Sequence, residues 1–213
     1  MSAEQNQIQQ EQKPKNKGGR YALKRFFSAK RMAVMAIFVS LSYIVSLLPP
    51  IPMPLFGASF LSLDFSNVFI LLISFLLGPI EGTIVCFLKE SLCLLTTKTS
   101  GAGELANFIT GTALLFLPGV MYRYRKNFKI VVGSLVAACF IATGVALLAN
   151  RFIVFPYFAK IGGGTIFGMT VKEAFATFLL ALILFNIIKS IVISVLTILL
   201  YKRLSLFFKK MKI

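Results

Sequence analysis

A chain of 213 residues with 57% hydrophobic side chains, a mean hydropathy of +0.84 and only seven acidic residues is not a soluble domain. Its composition is that of a polytopic helical membrane protein. The net charge of +16 raises nucleic acid as a partner, but 17 of the 23 Lys and Arg lie in three clusters at the ends of apolar runs, a distribution that sets membrane topology and attracts anionic lipid.

Residues 1–28 read as a basic cytoplasmic leader, Gln-rich and then Lys- and Gly-rich, with no apolar periodicity and an expectation of disorder over the first twenty residues. A cleaved signal peptide is disfavoured. The apolar run from near Met32 outlasts a signal core, and Pro49-Pro50-Ile51-Pro52-Met53-Pro54 follows it in place of a small-residue cleavage site. Residues 29–201 then read as one all-α membrane domain, a bundle of six transmembrane helices, and 202–213 as a basic cytoplasmic tail. The spans are placed at about 29–48, 65–77, 80–95, 104–122, 130–155 and 174–200. A proline-rich outer loop follows the first, and a glycine-rich link, 156–172, precedes the last. The second and third spans are divided at Gly78-Pro79; without that turn, 68–88 would pass as a single helix. An even number of spans puts all three basic clusters on one side, which the positive-inside rule makes the cytoplasm, with both termini there.

Catalysis is not expected. With no histidine in the chain, the commonest transition-metal ligand and the usual base for a nucleophilic serine are both missing. No G-x-x-x-x-G-K-[ST] loop is present to hold ATP. Cys86, Cys93 and Cys139 lie singly within apolar runs, and an odd number argues against a disulfide framework. No metal and no resident cofactor are expected.

The residues that carry information are polar ones set in apolar runs. Lys189 sits near the middle of the sixth span, where an ammonium costs at least ~2.5–3.5 kcal/mol unless a partner or wet cavity receives it. Asn186 lies three residues earlier, on one helical face with Ser190, Ser194 and Thr197. That face cannot meet lipid. Asp64, Asn67, Lys89, Glu90, Glu104, Asn107, Asn150 and Arg151 join the set. The plain reading of any one is an interhelical hydrogen bond, a snorkelling charge or, for Asp64 and Glu104, a carboxylate at a helix start. Glu90 has either Lys89 or Lys189 as an ion-pair partner. Taken together with Phe60, Phe65, Phe108, Phe152 and Phe155, they suit a flat amphipathic ligand near the outer leaflet. On the first span, Ala29, Ala33, Ala36 and Ser40 form a small-residue stripe suited to close helix approach, either within the bundle or on another subunit.

Five fragments in order resemble the substrate-binding S component of energy-coupling factor (ECF) vitamin transporters, and within it the riboflavin-specific branch. They are Leu61-Ser62-Leu63-Asp64-Phe65-Ser66-Asn67, Gly78-Pro79, 103–112 (GELANFITGT), 150–156 (NRFIVFP) and Phe185-Asn186-Ile187-Ile188-Lys189. The resemblance implies six helices, cytoplasmic termini and an outer loop closing over a vitamin. It implies polar ligand contacts from Asn150, Asn186 and Lys189, with Leu63, Asp64 and Phe65 bordering the flavin. Asn107, within the fourth-span motif, completes the candidate substrate-binding set. The stripe at Ala36 and Ser40 would dock on a transmembrane coupling subunit that carries two ATPases. Asn67 and Phe69 stand where the family pattern has Asp and Pro, and Glu90 where Asn is commoner; these departures bear on the ligand more than on the fold.

The expectation is therefore a vitamin-binding membrane subunit, for riboflavin or a related flavin, in the bacterial cell membrane. Its alternatives are an S component for another vitamin or for FMN, an ion-coupled secondary carrier in which Glu90 or Asp64 titrates, and a scaffold without a ligand.

Overall fold

The computed structural model describes residues 28–210 except Pro50, Pro54, Ser59, Lys98 and Lys126, with no description of side chains after Tyr201. The leader expected over 1–28 lies outside these residues apart from Ser28. The chain divides into two compact units, residues 1–34 and 35–213. In the first, the described residues open helix α1 (Ala29–Leu47), and the Met32 N–H donates to the Ser28 carbonyl at 3.0 Å.

The second unit holds the remainder of α1 and five further helices: α2 (Ser66–Leu76), α3 (Pro79–Cys93), α4 (Ala102–Tyr124), α5 (Phe128–Ile161) and α6 (Val171–Lys210). Six helices thus stand where six spans were expected. Four of them, α1, α4, α5 and α6 as far as Tyr201, are long and apolar enough to cross a bilayer. Helix α2 has 11 residues, about 16 Å at ~1.5 Å per residue, and does not cross a ~30 Å hydrocarbon layer as a straight rod. It turns into α3 at Gly78, whose φ of 134° suits glycine, and Pro79 opens α3 where its missing N–H is not needed.

Between α1 and α2 the chain forms a small antiparallel hairpin, β1 (Ile51–Pro52) against β2 (Ser62–Leu63), in the register Ile51 to Leu63 and Pro52 to Ser62. The Met53 N–H extends it by donating to the Leu61 carbonyl at 2.9 Å.

Helix α5 departs from expectation. The fifth span was expected to end at 155 and 156–172 to form a glycine-rich link, yet the helix runs on to Ile161. The reason is a π-helical turn over Asn150–Val154, in which the Phe155 N–H reaches the Asn150 carbonyl. Pro156 then falls in the first turn of the α-helical segment that follows, where a proline is tolerated. Helix α6 likewise starts before the expected 174. Glu173 accepts from the Thr170 N–H and hydroxyl, each at 2.9 Å, and the Thr170 hydroxyl accepts from the Glu173 N–H at 3.4 Å, a reciprocal cap at the helix start.

Helix α2 packs against α3, α4 and α6. At one crossing Ser74 enters a notch between Gly82 of α3 and Gly119 of α4, and its hydroxyl donates to the Leu115 carbonyl at 3.2 Å. A Cβ on Gly82 would lie 2.8 Å from the Ser74 Cβ, and one on Gly119 would lie 3.2 Å from the Pro79 Cβ. Gly133 and Gly144 of α5 have nothing within 4 Å of such an atom. Gly82→Leu is therefore expected to destabilise the bundle by about 1–3 kcal/mol through overpacking. Gly133→Ala should change little. Thermal melting of the detergent-purified variants checks the contrast, and equal melting temperatures would contradict the notch.

Candidate functional site

The polar face of α6 is inside the bundle. Asn186, Lys189, Ser190, Ser194 and Thr197 are each no more than 9% exposed. Such groups are retained in an apolar interior only when something receives them. Thr197 is received by its own helix and by α2: its hydroxyl bonds the Ile193 carbonyl at 2.7 Å and lies 3.4 Å from that of Val68. Lys189 Nζ donates to Asn107 Oδ1 of α4 at 3.4 Å and stands 5.9 Å from the centroid of the Phe185 ring. Among the described residues no carboxylate comes within ion-pair distance of it.

The carboxylates meet a different lysine. Lys89 of α3, 2% exposed, donates to Glu90 Oε1 at 2.9 Å and to Asp64 Oδ2 at 3.3 Å. Asp64 sits between β2 and α2, where its oxygens also accept from the Ser66 N–H at 2.8 Å and the Ser66 hydroxyl at 2.6 Å. Burial pushes the Asp64 carboxyl up, but the Lys89 ammonium and the Ser66 bonds outweigh it and hold the carboxyl below its ordinary range. Asp64 thus remains ionised and ties the end of the hairpin loop to α3. Its neighbours Leu63, buried, and Phe65, half-buried, are set in place by that tie.

Aromatic packing seats the rest of the loop. Ala58 and Leu61 are buried in one cluster with Phe155 and Ala159 of α5 and with Phe178, Ala181, Leu182 and Phe185 of α6. The Phe60 ring lies edge-on to Phe155 and Phe178, at 6.2 and 5.4 Å between centroids. One turn along α6 from Phe185 stands Lys189. The loop therefore sits on an aromatic cluster of α5 and α6, and the buried ammonium follows that cluster along α6.

The structure brings Lys189 to Asn107, and Asp64 to Lys89 and Glu90. Asn186 and Asn150 instead donate to carbonyls of their own helices, Leu182 and Ala146, each at 2.8 Å. Glu104 serves its own loop, accepting from the Thr99 hydroxyl at 2.5 Å. Phe108 pairs with Phe87. Phe152 is 69% exposed and lies outside the cluster, contrary to expectation, because two residues along a helix place it on the face opposite Asn150. Arg151 lies over the Phe175 ring at 5.1 Å. Ala36 and Ser40 are both exposed on α1, and the Ser40 hydroxyl donates to the Ala36 carbonyl at 3.0 Å.

Three features had no sequence signal strong enough to find them. The π turn places Asn150 at a break in the regular ladder, a kind of irregularity common at functional sites. Among the described residues several buried side-chain oxygens have no hydrogen-bond partner, Glu90 Oε2, Asn67 Oδ1 and Ser194 Oγ among them. Lys89 is the hub of the ion network; its presence among the polar residues was legible, but not its two partners.

Comparison with known proteins gives the family. The family model for the ECF transporter substrate-specific component matches residues 30–201. The riboflavin transporter RibU of Staphylococcus aureus (strain TCH60) is 32% identical over 182 residues, which cover 85% of this chain and 93% of RibU. A solved structure described as the S component of a bacterial ECF transporter superposes with a TM-score of 0.69 at 32% identity, covering 84% of this chain and 98% of that one. With four helices able to cross a bilayer, the chain is a multi-pass membrane protein and belongs to the substrate-specific component family of ECF transporters.

Proposed function

We propose that this S component captures riboflavin at the outer face of the cell membrane and delivers it inward through a coupling subunit and two ATPases. The observation that carries the ligand reading is Lys189: a buried ammonium on α6 that donates to an amide oxygen, has no carboxylate within ion-pair distance among the described residues, and stands one turn from the aromatic cluster at Phe185. An isoalloxazine ring has apolar faces for aromatic side chains and polar edges for amides; the ribityl hydroxyls need donors and acceptors. Asn186 and Asn150 each give their amide N–H to a carbonyl of their own helix, so a ligand meets them without first breaking an interhelical bond. The relationship to RibU supports riboflavin over other vitamins. Asp64, committed to Ser66 and Lys89, holds the loop in place, so that Leu63 and Phe65 border the ring.

Orientation follows from the charge clusters. With 17 Lys and Arg on one side and Lys98, Lys160 and Lys172 on the other, the termini face the cytoplasm and all six helices, the α2–α3 pair included, form the membrane domain. The exposed small-residue face of α1 at Ala36 and Ser40 supplies the docking surface for the coupling subunit.

Absorbance of the detergent-purified protein tests the ligand: flavin bands, or binding on titration with riboflavin, are expected, and a protein that neither carries nor binds a flavin would overturn the reading. Each lost polar contact should cost ~1–3 kcal/mol. Lys189→Met and Asn186→Ala are thus expected to weaken riboflavin binding roughly ten-fold or more with the fold intact. Ala36→Trp should leave binding unchanged and abolish uptake in cells that contain the ATPase module. Undiminished uptake would remove the docking assignment.

A further inference from the structure

Two ammoniums and two carboxylates lie near one another: Lys89, Lys189 and Glu90, all buried, and Asp64, half-buried. The charges balance in number but not in pairing. Lys89 takes both carboxylates, at 2.9 and 3.3 Å, and Lys189 has the amide oxygen of Asn107 at 3.4 Å. A carboxylate is a stronger acceptor for an ammonium than an amide is. Lys189 is within electrostatic reach of both Asp64 and Glu90, so its lack of a counter-ion among the described residues depends on something else holding them.

The two carboxylates are held differently. Asp64 is anchored by Ser66 as well as by Lys89. Glu90 has Lys89 alone: its Oε1 is paired, and its Oε2 is buried without a partner. Lys89 neighbours Glu90 along α3 and reaches across to the hairpin loop, so one side chain restrains both acids.

We infer that Lys89 is a positioning residue for ligand binding: by holding Glu90 and Asp64 it keeps Lys189 clear of a carboxylate and available to an oxygen of the bound solute. Without Lys89, Glu90 is the acid free to turn toward Lys189. A captured Lys189 would present a closed ion pair where the ligand needs a donor. The inference deepens the riboflavin reading and rests on it.

The test is riboflavin titration of the purified full-length protein by fluorescence quenching, with thermal melting recorded for every variant. Lys89→Met should weaken binding by about ten-fold or more, and adding Glu90→Gln should recover most of the loss. Lys189→Met should weaken binding strongly in the unsubstituted protein and by less than about three-fold in the Lys89→Met background, because there the ammonium is already occupied. Losses that multiply across the two lysines, or a double variant Lys89→Met/Glu90→Gln no better than Lys89→Met, would overturn the inference while leaving the ligand reading intact. If Lys89→Met does not fold, the double variant should still bind riboflavin within about three-fold of the unsubstituted protein. A ten-fold loss there would overturn the inference. Failure of the unsubstituted protein to bind riboflavin would overturn both.

Discussion

Placing ammoniums inside an apolar bundle is the constraint on which this structure depends. An unpaired charge in a medium of low polarisability is so costly that proteins reorganise around it. Here the response is uneven. Lys89 is given two carboxylates, one from its own helix and one from the loop that precedes α2. Lys189 is given an amide oxygen and the edge of an aromatic cluster. The first arrangement closes a network; the second leaves donor capacity unspent.

The fold makes this asymmetry possible by bringing a short, stiff loop over two long helices. The β1–β2 hairpin supplies Ala58 and Leu61 to the aromatic cluster and, at its end, Asp64 to the ion network. Apolar packing fixes one side of the loop and charge fixes the other. Neither contact suffices alone. A two-stranded hairpin of this size is marginal without a surface to pack on, and much of the attraction in a buried ion pair is offset by the cost of desolvating it.

Much of this was legible in the residues. Apolar run lengths, the Gly78-Pro79 break and the clustering of Lys and Arg located six helices, and the spacing of Asn186, Lys189, Ser190, Ser194 and Thr197 identified a face that had to be buried. What escaped was tertiary or depended on one extra hydrogen-bond step. Glu90 had two lysines to choose from, one beside it in sequence and one on the last helix, and the folded chain pairs it with Lys89. Pro156 is locally a helix stop, and the residues before it carry no mark of the wider turn that lets the helix continue. Phe152 was placed at the site by its neighbours in sequence, whereas helical periodicity sets it on the opposite face from Asn150, where it is exposed.

That π turn also constrains how the chain can change in length. A π turn is an α-helix with one residue added, so deleting any single residue from Asn150–Val154 would restore the regular ladder. The wider turn takes up the added residue within itself, so after such a deletion Phe155 and Ala159 would keep their side of the helix and their seat beneath the hairpin loop. Removing a residue from a regular stretch of α5 would instead rotate all that follows by about 100°, the angle one residue subtends in an α-helix. Length is therefore forgiving at the wide turn and unforgiving on either side of it.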